Sequence, residues 1–239
     1  AAVHGAVAAS VINSGQDCTA ATRAIVHSSL YERFCAGVAD LMAGLRIGDP
    51  RDDDTDLGPL VSFTQRDRVA DHIERARKEG GTVIGGASPD NGPLARGAYV
   101  CPALVRDVGR DASIMRDEVF GPVLAAMPFD TDDEAIALAN DTPYGLAASA
   151  WTTDLLRASR ATRQIRAGCV WINDHIPIIS EMPHGGYKSS GFGKDMSSYS
   201  FEEYTQVKHV MVEISGVARK EWHRTVFADR STHGSGGFS

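Results

Sequence analysis

Residues 146–172 read LAASAWTTDLLRASRATRQIRAGCVWI. Leu146 to Trp151 reads as a strand, Leu155 to Arg166 as a helix, and Cys169 to Ile172 as a second strand. Strands joined through a helix lie parallel in one sheet, so this stretch argues for a strand–helix–strand unit. The pattern repeats upstream. Strands are expected at Thr82 to Ile84, Tyr99 to Val105 and Val123 to Pro128. A helix over Tyr31 to Arg46 places Phe34, Val38, Leu41 and Leu45 on one face, and Gly48-Asp49-Pro50 ends it. Another starts at Ser62, where Ser62 and Gln65 can form a capping box, and Val69, Ile73 and Ala76 line its apolar face. Thr131 and Glu134 form a similar box ahead of a helix that Asn140-Asp141-Thr142-Pro143 closes. This alternation predicts an α/β fold with a mostly parallel sheet. Downstream, Thr205 to Ile214 is rich in Val and alternates loosely, as an edge strand does. From Val217 the chain is polar, and its last dozen residues, rich in Gly and Ser, are expected to be flexible.

The 239 residues are enough for one large domain or two small ones. A hydrophobic share of 43%, a charged share of 23% and a net charge of −7 describe an ordinary soluble protein. Basic residues come in ones and twos, so no surface for nucleic acid or an anionic membrane is expected. The four cysteines, Cys18, Cys35, Cys101 and Cys169, show no metal-ligand spacing, and the eight histidines form no H-x-x-x-H pair. No metal site is expected. Sparse cysteine points to free thiols in a reducing compartment, hence the cytoplasm. The opening AAVHGAVAASVI has no basic flank and is too short to span a membrane. It reads as the end of a buried helix, and a chain that opens in mid-helix suggests truncation.

Cys18 is the first residue with candidate chemistry. It follows Asn13-Ser14-Gly15-Gln16-Asp17, a turn-forming run, and precedes the small residues Thr19-Ala20-Ala21. If the small residues form a helical turn, unpaired N–H groups at its start would favour the thiolate, a strong nucleophile toward an electrophilic carbon. A buried, inert cysteine is the alternative from the local sequence.

The stretch N-S-G-Q-D-C-T at 13–19 resembles the nucleophile motif of the aldehyde dehydrogenase superfamily. Glu118-Val119-Phe120-Gly121-Pro122-Val123, N-D-T-P-Y-G-L at 140–146 and P-H-G-G-Y-K-S-S-G at 183–191 are similar to three further motifs of that family, in its order. The resemblance covers roughly residues 1–213. The run from Trp171 through E-M-P-H-G-G-Y-K-S-S-G-F-G-K-D-M is most similar to 4-aminobutyraldehyde dehydrogenases, with betaine aldehyde dehydrogenases as close neighbours.

The resemblance implies NAD(P)-dependent oxidation of an aldehyde, of the kind of 4-aminobutanal, to a carboxylic acid. The cofactor implied is NAD, with NADP left open. Cys18 would form a thiohemiacetal and then a thioester. Glu118 would hold the nicotinamide ribose hydroxyls, Phe120 would pack near the nicotinamide, and Gln65 and Arg68 would lie near the cofactor ribose. Asn173, Asp174 and His184 would line the substrate funnel, and Asp174 or Glu181 could attract an ammonium group. Each also has a plainer reading: Gln65 as a cap, Arg68 as a solvated helix face, Asn173 as a turn residue, and the acids as solvated loop groups.

The expected layout is a catalytic domain over 1–200, an oligomerisation strand over 201–216 and a tail over 217–239. The family's general-base Glu, oxyanion Asn and most of its cofactor domain lie farther upstream than these residues reach, so the chain is expected to be inactive alone. The intact parent is expected to be a homodimer or homotetramer with a small-molecule aldehyde substrate. Two other classes compete: a non-catalytic oligomerisation module, and a cysteine hydrolase pairing Cys18 with His4, His27 or His184.

Overall fold

The structure, a computed structural model, describes residues 1–227. It divides into a unit over Ala1–Tyr204 and a second from Thr205 onward. The first unit holds helices α1 (Ala2–Val11), α2 (Ser28–Ala43), α3 (Phe63–Lys78), α4 (Ser113–Arg116), α5 (Asp132–Asn140), α6 (Leu155–Gln164) and α7 (Ser197–Glu203). Its strands are β1 (Arg23–His27), β2 (Thr82–Gly85), β3 (Ala103–Arg106), β4 (Val123–Phe129), β5 (Ala147–Ala150) and β6 (Cys169–Ile172). One sheet has the order β1-β4-β3-β2 and the other pairs β5 with β6. Among the pairings of these strands only β2–β3 is antiparallel. The mostly parallel α/β architecture is therefore present.

Both faces of the larger sheet are covered, which explains the unbroken apolar run of β4. Val123, Ala125 and Met127 face Val69, Ile73 and Ala76 of α3, together with Ala103 and Val105 of β3. The intervening Leu104, Leu124 and Ala126 face Val7 of α1 and Tyr31, Cys35, Val38 and Met42 of α2. Alternate residues of one strand thus feed two cores.

Both predicted helix starts hold, but each box is only half closed. The Ser62 hydroxyl accepts from the Gln65 backbone N–H at 3.2 Å, and the Thr131 hydroxyl from that of Glu134 at 3.2 Å. Gln65 sends its amide elsewhere, and the Glu134 carboxylate accepts from Asp130 N–H. The strand expected from Tyr99 begins only at Ala103. Residues 99–102 precede the ladder, where Pro102 has no N–H to donate.

Two other expectations need correction. No helix follows Cys18; the chain goes straight into β1, a strand the sequence reading missed. The oligomerisation strand expected over 201–216 does not begin at 201, because Phe201 to Glu203 belong to α7; among the described residues Thr205 to Ile214 pair with no ladder within the chain. A strand is defined by its partner, and side chains such as Val207, 95% exposed, meet none of a core. Within the second unit, part of the expected flexible tail carries a 3₁₀ turn over Glu221–Thr225, and Lys220 pairs with Glu213 at 2.9 Å. The last dozen residues lie outside the described ones. Among the described residues no helix is long and apolar enough to cross a membrane.

Candidate active site

The loop that carries Cys18 is built from three successive left-handed residues, Asn13 (φ 48°), Ser14 (φ 58°) and Gly15 (φ 72°). Side-chain bonds compensate this unfavourable backbone. The Ser14 hydroxyl donates to Gly58 O at 3.1 Å, the Asn13 amide donates to Gln16 O at 3.0 Å, and the Gln16 amide oxygen accepts from Val61 N–H at 3.2 Å. One Asp17 carboxylate oxygen accepts from both the Thr19 N–H, at 2.7 Å, and the Thr19 hydroxyl, at 2.5 Å. That bond replaces the helical turn the sequence suggested. Cys18 is left exposed on the crest while Thr19 is buried beneath it.

The electrostatics run opposite to expectation. Partial burial of the sulfur pushes the Cys18 thiol up, and the Asp17 charge adds to this; its own backbone N–H pulls the other way. Asp17→Asn keeps an acceptor for Thr19 and removes the charge. The thiol pKa then falls, so the thiolate fraction at pH 7 rises. Alkylation of Cys18 by iodoacetamide at pH 7 is expected to accelerate about three- to tenfold. An unchanged rate would show that the thiol does not feel this carboxylate.

A second loop, after α4, brings up Glu118 and Phe120. Phe120 is left-handed (φ 53°) and partly exposed. The Gln65 amide braces it by donating to Val119 O at 3.1 Å and Phe120 O at 2.9 Å. The two loops touch: a Cβ on Gly15 would sit 2.2 Å from the Gly121 carbonyl carbon and oxygen. Cys18, Glu118 and Phe120 consequently line one cleft of about 1150 Å³, with Asp17, Tyr144 and His175. Among the described residues Glu118 has no hydrogen-bond or ion-pair partner, and its charge reaches the Cys18 sulfur.

Two more of the quoted motifs are zipped to each other beside this cleft. Tyr187 N–H donates to Gly145 O at 2.8 Å, Gly145 N–H to the Ser190 hydroxyl at 3.0 Å, and Ser189 N–H to Pro143 O at 2.9 Å. Cations hold the end of α5 that feeds the turn. Arg23 donates to Leu138 O and Ala139 O at 3.2 and 3.1 Å, and Lys188 to Asn140 O and Thr142 O at 2.9 and 3.1 Å. Positive groups at the carbonyl end of a helix answer its dipole.

The remaining sequence candidates do not line the cleft. Arg68 is an exposed residue of α3, and Gln65 acts through the Phe120 loop. Asn173 bridges the ends of β5 and β6, accepting from Thr152 N–H and donating to Thr152 O, each at 2.8 Å. Asp174 accepts from the His175 N–H at 2.8 Å. His184 pairs with Asp195 through main-chain bonds in both directions and an Nδ1–carboxylate contact of 2.6 Å. The sequence reading missed Asp17, Gly15 and His175. For Gly15 the signal was there, in a run of three residues prone to left-handed backbone. For His175 there was none locally, because its partners are 26 and 156 residues away.

Residues 1–210 match the aldehyde dehydrogenase family, and the chain belongs to it. It is 41% identical over 217 residues to a betaine aldehyde dehydrogenase of Brucella anthropi, a match covering 90% of this chain and 45% of that protein. The fold is similar to a betaine aldehyde dehydrogenase of Staphylococcus aureus in complex with NAD+, with a TM-score of 0.85, 33% identity, and 92% of this chain against 44% of that one. A point mutant of that enzyme, bound to NAD+ and carrying a BME-modified cysteine, gives a TM-score of 0.85, 34% identity, and coverages of 87% and 43%. An aldehyde dehydrogenase mutant of Bacillus cereus gives 0.83, 38%, 87% and 42%. The chain thus spans somewhat under half the length of these relatives.

Proposed function

We propose that this chain carries the catalytic centre of an NAD-dependent aldehyde dehydrogenase, with Cys18 as the nucleophile. The observation that carries the reading is the meeting of Cys18, Glu118 and Phe120 at one cleft, although about a hundred residues separate Cys18 from the other two. A cleft that gathers an exposed thiol, an unpartnered carboxylate and a partly exposed aromatic ring fits an aldehyde beside a nicotinamide nucleotide.

The Glu118 carboxylate would accept from the two hydroxyls of the nicotinamide ribose, a task suited to an acceptor with no other partner. Phe120, on a backbone that Gln65 holds, would pack against the nicotinamide. NAD, when bound, supplies the hydride acceptor. The Cys18 thiolate adds to the aldehyde carbon, and the Cys18 backbone N–H stabilises the resulting oxyanion. Loss of hydride from that carbon leaves a thioester on Cys18. Attack by water then breaks the C–S bond, releasing the acid and restoring the thiol.

The substrate we favour is an aldehyde with an ammonium group, 4-aminobutanal being the example the sequence suggests. Asp17 at the cleft supplies complementary charge for such a cation. Asp174 and Glu181, outside the cleft lining, would extend that negative field, and Asn173 and His184 would support the funnel from outside it through their bonds to Thr152 and Asp195. We further propose that the free thiols belong in the cytoplasm, that the segment 205–214 pairs with a second copy in a homodimer or homotetramer, and that these residues alone do not turn over aldehyde. The exposed apolar side chains of that segment support the pairing.

The test is a chimera in which this chain replaces the matching 217 residues of the Brucella anthropi enzyme. NADH and acid formation from 4-aminobutanal or betaine aldehyde is expected. A soluble chimera that binds NAD yet yields no acid from either aldehyde overturns the assignment.

A further inference from the structure

His175, at the cleft, joins three separate parts of the fold. Its Nε2 lies 2.8 Å from the Thr19 carbonyl oxygen, and its Nδ1 lies 2.9 Å from the Ser149 hydroxyl on β5. The ring packs edge-on against Trp171 of β6, with centroids 5.0 Å apart. A carbonyl only accepts, so Nε2 carries the proton, and Nδ1 then accepts from the Ser149 O–H. Burial pushes the imidazole below its usual pKa, which keeps it neutral in this one tautomer.

The partner it holds is the residue after the nucleophile. Thr19 is gripped on its other side as well, where Asp17 takes both its N–H and its hydroxyl. The peptides on either side of Thr19 are therefore fixed, one by the loop itself and one by a side chain 156 residues away. With both fixed, Cys18 has little freedom beyond rotation about its own side-chain bond.

We propose that His175 is a positioning residue for the nucleophile: it locks the Thr19 carbonyl to the β5–β6 sheet and so presents the Cys18 thiol to the cleft in one orientation. The inference rests on the reading of Cys18 as nucleophile. Locked in this way, the Cys18 thiol keeps one direction into the cleft. Released, the loop loses that alignment and the sulfur samples other directions. Preorganisation of a reacting group by a rigid support is how such residues contribute to rate.

The test is iodoacetamide alkylation of the 239-residue chain at pH 8, followed at each of the four cysteines by peptide mass spectrometry. His175→Ala is expected to slow Cys18 alkylation at least about fivefold while buried Cys35 stays protected. His175→Gln, whose amide N–H can reach the same carbonyl, is expected to recover at least half of the lost rate. A smaller loss, any increase, loss of Cys35 protection, or no recovery with Gln overturns the proposal. If Cys18 of the unaltered chain reacts no faster than Cys101, the nucleophile reading itself fails, and that result is separate from any effect of His175.

Discussion

Cys18→Ser is expected to lower aldehyde oxidation by about a thousandfold or more in the Brucella chimera, with its unfolding midpoint unchanged. The size follows from the chemistry. A serine hydroxyl is far less ionised than a thiol near neutral pH. An ester is also a poorer acyl intermediate for water to open than a thioester. Stability should not move, because Cys18 is exposed on the crest of its loop and leaves no cavity when sulfur becomes oxygen. The other three thiols serve as internal controls. Burial pushes each of them up as well, and Cys35 is closed to solvent altogether. NADH production by the Cys18→Ser chimera within tenfold of the unaltered one would place the nucleophile on another residue. Loss of NADH together with a lowered unfolding midpoint would mean the substitution damaged the fold instead.

The parts of the molecule legible in the sequence are those whose cause is local. Val69, Ile73 and Ala76 follow a helical period, and all three are at most 1% exposed. Ser62 and Thr131 cap the helices they precede because the hydroxyl and its N–H partner are three residues apart. Cys169–Ile172 is a short apolar run, and it is the strand it looked like. The parts that were not legible depend on distant partners. β1 is five residues long, and only its parallel register with β4, about a hundred residues on, makes it a strand. Thr205 to Ile214 shows the inverse case: a strand-like sequence without a ladder stays irregular. At the candidate site the motifs pointed to Cys18, Glu118 and Phe120, whereas the electrostatic sense of the thiol was misread. That error has two causes: partial burial of the sulfur, and the Asp17 carboxylate, which closes its own turn on Thr19 where a helix was expected. His175 was invisible for the same reason as β1, since both of its partners come from elsewhere in the chain.

Gly15→Ala is expected to cost the fold about 3 kcal/mol or more, or to spring the Cys18 loop away from Glu118. Two penalties act together at this position. The backbone is left-handed, with φ 72°, where a side chain alone costs on the order of 1 kcal/mol. The added methyl would also lie 2.2 Å from the carbonyl of Gly121 and 2.5 Å from Pro122 N. Those atoms are backbone, so no flexible side chain can swing aside to admit it. Gly121 has no room to retreat either, because a Cβ there would already meet Val69 of α3 at 2.5 Å. The clash therefore passes from the nucleophile loop through the Phe120 turn into the larger core. Urea unfolding of the chain should show a lower midpoint with an unchanged slope if the loop holds its place. If the loop yields instead, the midpoint should stay put and Cys18 alkylation should change severalfold. A variant with neither effect would mean that the close approach of the two loops does not set the geometry of the site.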